Sequence, residues 1–213
     1  MEFLELLQTG RPVLLDGGMG TMLQAKGLPV GATPELTALE HPEWLLDIHR
    51  AYVEAGAQIL YANTFGANRE KLSHCGRTVE EIVPAAVALA KEAAQGRALV
   101  ALDIGPTGQL LEPTGILDFE TAVDIFAQVV RAGAAAGADL IVIETMTDLQ
   151  EARAALLAAK ENSGLPVLVT MTYEATGRTF LGCSPAAAAL TLEGIGADAI
   201  GVNCSLGPRE MPP

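Results

Sequence analysis

The sequence predicts an α/β fold, a (β/α)8 TIM barrel that is incomplete in this chain, with about six βα units present. Short, β-branched apolar runs alternate with longer alanine-rich or amphipathic segments, which is the pattern of repeated βα units. Those runs are apolar at nearly every position, as expected of parallel strands covered on both faces. Three helix-to-strand junctions also read almost alike: Ala55-Gly56-Ala57-Gln58, Ala136-Gly137-Ala138-Asp139 and Ile195-Gly196-Ala197-Asp198. A glycine just past a helix end supplies the left-handed residue that stops it, and the next strand begins at once.

In chain order, the first strand is expected over Val13–Asp16 and runs into Gly17-Gly18-Met19-Gly20. A helix over Trp44–Glu54 follows, with Pro42 where a first-turn proline is tolerated. Strand two spans Gln58–Asn63, and an alanine-rich helix covers Val79–Ala94. Strand three is Leu99–Asp103, followed by a helix over Phe119–Ala135 with Asp118 as its N-cap. Strand four is Leu140–Glu144, followed by a helix over Leu149–Glu161 with Asp148 as its N-cap. Strand five is Val167–Thr172, a helix over Pro185–Glu193 opens on its proline, and strand six is Ala199–Asn203. No low-complexity linker interrupts the series, so residues 1–213 read as one domain. An open doubly wound sheet is the alternative. It would need a glycine-rich dinucleotide fingerprint and an acidic end to strand two, where this chain has Asn63. A barrel takes eight strands and about 250 residues, so strands seven and eight are expected beyond Pro213.

Composition bounds the function. Half of the 213 residues are hydrophobic and the formal net charge is -13. Nucleic acid is thus an unsuitable partner, because binding it needs clustered Lys and Arg. The first residues lack the pattern of a signal peptide, and no apolar run reaches the roughly 18 residues of a membrane span. Cys75, Cys183 and Cys204 are an odd, widely spaced set, which suits a reduced, cytoplasmic protein.

In a barrel, working groups project from the C-terminal ends of the strands. Here those ends carry Asp16, Asn63-Thr64, Asp103, Glu144-Thr145, Thr172 and Asn203-Cys204. Each has an ordinary alternative, capping a helix or bonding a loop amide. The glycines at 17 to 20 suit either a simple tight turn or a nest of amides for a carboxylate or phosphate. Glu144 lies among Leu, Ile and Val, so it needs a partner, either a structural cation or a substrate ammonium group. Cys204 reads as a small buried side chain or as one metal ligand, and no other Cys or His has ligand spacing to it. His41 and His49 are expected on the surface of a helix.

Read together, five stretches resemble the homocysteine S-methyltransferase family, most of all the N-terminal homocysteine domain of cobalamin-dependent methionine synthases. They are Asp16-Gly17-Gly18-Met19-Gly20-Thr21, Asn63-Thr64-Phe65, Gly105-Pro106-Thr107-Gly108 with Leu110-Leu111-Glu112-Pro113, Ile143-Glu144-Thr145-Met146, and Gly201-Val202-Asn203-Cys204-Ser205. The resemblance implies a TIM barrel that transfers a methyl group to the thiol of homocysteine, giving methionine. It implies zinc held by three cysteines, of which Cys204 matches the first; the adjacent Cys-Cys pair that completes the set has no counterpart in this sequence. Gly17, Gly18 and Met19 match the loop whose amides hold the substrate carboxylate, and Glu144 matches a ligand of its amino group. Asp16, Asn63, Asp103 and Thr145 are expected in the same pocket. The implied donor is methylcobalamin on a partner domain or corrinoid protein, with S-methylmethionine or betaine as alternatives. The chain alone is expected to be inactive, and a non-catalytic homocysteine-binding barrel is the reading from another class.

Overall fold

A computed structural model describes residues 2–207. The elements are α1 (Phe3–Gln8), α2 (Met19–Lys26), α3 (Thr37–Glu40), α4 (Pro42–Glu54), β1 (Ile59–Tyr61), α5 (Arg69–Leu72), α6 (Val79–Ala94), β2 (Leu99–Ile104), α7 (Phe119–Ala135), β3 (Leu140–Met146), α8 (Leu149–Asn162), β4 (Val167–Met171), α9 (Pro185–Ile195) and β5 (Ala199–Val202). Single 3₁₀ turns at Pro34–Leu36 and Ser73–Cys75 fill two connections.

All strand pairs are parallel, and their spatial order β1-β2-β3-β4-β5 follows the sequence. A doubly wound sheet would reverse order at its switch point, whereas a barrel wall runs in sequence. The result is an arc of barrel wall. The expected helix signals are present: the side chains of Asp118 and Asp148 accept from Thr121 and Gln150 amides, and Gly56, Gly137 and Gly196 have φ of 100°, 89° and 104°. A side chain would be strained at those three backbones, which is why one junction sequence recurs.

The period-two alternation of the strands divides the core. Leu60, Val100, Leu102, Ile141, Ile143, Val167 and Val169 face the helices in the main cluster. Their neighbours Ile59, Ala101, Leu140 and Val142 face inward, where Phe3 of α1 packs against them. Further along the same inward face stand Tyr61, Asp103, Glu144 and Thr170. The apolar inner layer is therefore the floor on which a polar layer rests.

Two expectations are corrected. Val13–Asp16 is not a full strand: Leu15 makes an isolated parallel bridge to Ile59, and Leu14 and Asp16 bond the backbone of Gln58 and Ile59. Pro12 before it and Gly17-Gly18 after it leave four residues, with a neighbour on one side only among the described residues. His49 is fully buried rather than on the surface. It lies on the apolar stripe of α4 with Leu45, Ile48 and Val53, an i, i+3, i+4, i+8 spacing that turns it toward the core. The described helices include none long and apolar enough to cross a membrane.

Candidate functional site

A pocket of about 570 Å³ opens above the inner polar layer, at the C-terminal ends of the strands. Its lining includes the nine residues that the sequence assigned to the substrate and metal sites, Asp16, Gly17, Gly18, Met19, Asn63, Asp103, Glu144, Thr145 and Cys204, whereas the strand-end Thr64 and Thr172 do not line it. None of its lining residues is a lysine or an arginine.

Asp16 follows the bridging segment, and its Oδ2 accepts from the Tyr61 amide at 2.9 Å. Burial pushes its carboxyl up to about 7; the Tyr61 amide opposes that rise and the charge of Glu144 adds to it. Gly17 is required for a reason internal to the fold: a Cβ there would stand 2.8 Å from the Tyr52 hydroxyl, which donates to the Gly18 carbonyl at 3.1 Å. Gly18 is the N-cap of α2 and supplies no side-chain cap, so first-turn amides beginning at Met19 lack an intrahelical partner at the pocket wall.

Asn63 is buried, and its Nδ2 donates to the Pro34 carbonyl at 2.7 Å and to Thr37 Oγ1 at 3.1 Å. Its amide nitrogen thus ties down the segment ahead of α3. Asp103 is buried, and its Oδ1 has no hydrogen-bond partner. Burial, reinforced by the charges of Glu144, Asp16 and Glu35, holds its carboxyl well above the usual range. Glu144 is half-buried, and burial raises its carboxyl too. Instead of a cation, it accepts from Asn203 Nδ2 at 3.1 Å.

Four carboxyls, those of Asp16, Glu35, Asp103 and Glu144, thus share one pocket whose lining offers no positive charge. An unpartnered buried carboxyl oxygen is costly. A cationic group entering this space would pair with the acids and favour their ionised forms. Backbone strain collects here as well: Thr145 and Cys204 have φ of 61° and 46°, in the left-handed region that few side chains adopt.

A thiolate zinc site takes three protein ligands and an open position. The described residues contain no group of three or more His, Cys, Asp or Glu placed to hold a metal. Cys204 is exposed and is the one cysteine lining the pocket; Cys75 and Cys183 pack against the helix-side core. The residues present therefore do not make a zinc centre by themselves. They offer one thiol.

The lining also holds Glu35, Tyr61, Phe65, Thr170 and Asn203, which were not singled out as site residues. Asn203 was named beside Cys204 at a strand end but was given no role in the site. Tyr61 and Thr170 are legible only once the inward face of each strand is known. Glu35 gives no sequence signal: it lies in a non-periodic segment, is buried, and accepts from the Gly66 amide at 2.6 Å.

The fold and the pocket define a parallel βα barrel wall with an acid-lined, thiol-bearing site at the C-terminal ends of its strands. The chain belongs to the homocysteine S-methyltransferase family, whose model matches residues 13–213. It is 31% identical over 220 residues to a methionine synthase of Mycobacterium tuberculosis, covering 94% of this chain and 18% of that protein. It is 33% identical over 220 residues to betaine–homocysteine S-methyltransferase 1 of Xenopus tropicalis, covering 96% of this chain and 52% of that protein. The chain thus spans from under a fifth to about half of these relatives. Its fold is similar to that of the metallated homocysteine methyltransferase MmuM from Escherichia coli, with a TM-score of 0.86 at 22% identity over 98% of this chain and 80% of that one.

Proposed function

We propose that this chain forms the homocysteine-holding part of an enzyme that transfers a methyl group to the homocysteine thiol, giving methionine. The observation that carries this reading is one pocket combining four carboxyls without a lining cation, uncapped amides at the start of α2, and the Cys204 thiol. An amino-acid substrate with a thiol tail matches each part. Its ammonium group pairs with Glu144 and Asp16, with Asp103 beneath. Its carboxylate meets the amides at Gly18 and Met19, where a helix N-terminus favours an anion. Its thiol then lies toward Cys204. Asn63 and Thr145 shape the walls.

Zinc belongs to this proposal only as a centre to which Cys204 would contribute one ligand, since the described residues do not complete a ligand set. The chain by itself is then a binding unit rather than a complete catalyst. The donor we infer is methylcobalamin presented by a partner domain or corrinoid protein, from the resemblance of the strand-end stretches to cobalamin-dependent methionine synthases; the mycobacterial relatives are named methionine synthases. The similarity to betaine–homocysteine S-methyltransferases favours betaine as the second reading, and S-methylmethionine is a further alternative.

Isothermal titration of the 213-residue chain with homocysteine tests the binding role. We expect saturable binding, weakened roughly ten- to a hundredfold by Glu144→Gln, the scale of a lost charge-assisted hydrogen bond. Wild-type protein that binds no homocysteine would remove the reading. For the donor, the polypeptide encoded by the full reading frame is offered methylcobalamin, betaine or S-methylmethionine with homocysteine, and methionine is followed. Methionine formed from betaine alone would transfer the assignment to the second reading.

A further inference from the structure

We propose that Asn203 is a positioning residue, one that pins a bulge in β3 and so aims the Glu144 carboxylate at the substrate ammonium group. The aim toward ammonium rests on the function proposed above; the pin itself does not. Up to Ile143, β3 pairs with β4 in regular register, Ile143 against Val169, but the next pair is Met146 against Met171. Glu144 and Thr145 therefore oppose a single residue, Thr170, and β3 carries one residue too many. A bulge of this kind breaks the ladder locally and re-aims side chains. It also leaves a backbone amide in need of a new acceptor.

Asn203, just past β5, supplies it. The Thr145 amide donates to Asn203 Oδ1 at 2.9 Å, and Thr170 Oγ1 donates to the same oxygen at 2.9 Å. Because a backbone N–H can only donate, the side-chain oxygen must face Thr145 and the nitrogen must face the other way. That nitrogen donates to Thr145 Oγ1 at 2.8 Å and to Glu144 Oε2 at 3.1 Å, and lies 3.6 Å from Cys204 Sγ. The backbone of Asn203 is held in turn: its amide donates to the Met171 carbonyl, and its carbonyl accepts from Thr172 Oγ1 at 3.1 Å. One short side chain thus joins the ends of β3, β4 and β5.

The chemistry asks for this residue type. The side chain must accept from an amide and a hydroxyl while donating to a carboxylate, which an asparagine amide does within one group. Aspartate keeps the acceptor but sets a second negative charge against Glu144. Alanine keeps neither function.

Two measurements on the full chain test the proposal. In the ligand-free protein, amide hydrogen exchange at Thr145 should accelerate roughly tenfold or more in Asn203→Ala, and stay protected in Asn203→Asp, which retains the acceptor. Amides of β2 should keep their protection in both. In titrations, Asn203→Ala and Asn203→Asp should each weaken homocysteine binding roughly tenfold, while the des-amino analogue 4-sulfanylbutanoate shifts by less than about twofold. In a Glu144→Gln background, Asn203→Ala should cost little further affinity, since both changes remove one interaction. Unchanged exchange at Thr145 in Asn203→Ala overturns the pin. Equal losses for both ligands, or fully additive losses with Glu144→Gln, overturn the aiming role. If Asn203→Ala fails to fold, Asn203→Asp alone decides: full homocysteine affinity in that variant overturns the proposal. Absence of homocysteine binding by the wild type counts against the proposed function, and the exchange measurement still decides the pin.

Discussion

Asp16 sits under two opposed influences, burial among apolar strand ends and an amide donated by Tyr61, and burial prevails, leaving its carboxyl at about 7. Below that pH the group is neutral and pairs poorly with an ammonium; above it the pair is charge-assisted. Homocysteine affinity should therefore rise as pH increases from about 6 to 8, before the free thiol begins to ionise near 8.5. Titration calorimetry across that range checks it, and Asp16→Asn should flatten the low-pH limb. A flat wild-type profile would mean that Asp16 does not meet the amino group. At this scale the sequence identified Asp16, Asp103 and Glu144 from their places at expected strand ends but missed Glu35, and it did not show their protonation. That depends on how many carboxyls share one cavity and what opposes them, and the unpartnered Oδ1 of Asp103 has no trace in the local sequence.

Helix α4 carries a more isolated titration. Both ring nitrogens of His49 are buried without a hydrogen-bond partner, and burial pulls its pKa down to about 4 from 6.5. The unfolded chain therefore binds more protons than the folded one between about 4 and 6.5, so stability present above that window is lost as pH falls through it. The difference corresponds to about 3 kcal/mol over the whole window. The raised carboxyls of the pocket act with opposite sign, so the contribution of His49 is read as a difference between proteins. Urea unfolding of wild type and His49→Leu at pH 7 and pH 4.5 should show the variant losing less stability on acidification, by a large fraction of that amount. Equal losses would show that His49 reaches a partner or solvent. The stripe at 45, 48, 49 and 53 was legible as helical periodicity, but histidine at one of its positions was read by residue type rather than by phase. The first strand failed for the converse reason. Its residues have the right type, yet Val13–Asp16 has a described neighbour on one side only, and pairing is a property of neighbours. The bulge at Glu144-Thr145 was likewise beyond a local reading, since it exists only as a mismatch between β3 and β4.

The described residues form an arc of barrel wall, and an arc has edges where a closed barrel has none. At one edge Leu14 and Leu15 are 56% and 43% exposed; at the other Ile200 and Val202 are 37% and 46% exposed. Among the described residues, β5 pairs only with β4. Apolar side chains beside unpaired strand backbone form a template for another strand, and here the net charge of -13 is the main opposing force. Charge repulsion is screened by salt while apolar burial is not, with the Debye length falling from about 10 Å at 0.1 M to about 3 Å at 1 M. The 213-residue chain should accordingly self-associate with increasing concentration, more strongly at high salt than at low. Sedimentation velocity over a concentration series at both ionic strengths measures this directly. Ile200→Lys combined with Val202→Lys should suppress the association, because lysine on an edge strand disfavours a second strand docking there. The same pair placed on exposed positions of α7 should leave it unchanged, which separates an edge effect from a simple change in net charge. A chain that stays monomeric throughout, with one cooperative melting transition, would mean that these edges are already satisfied within the protein.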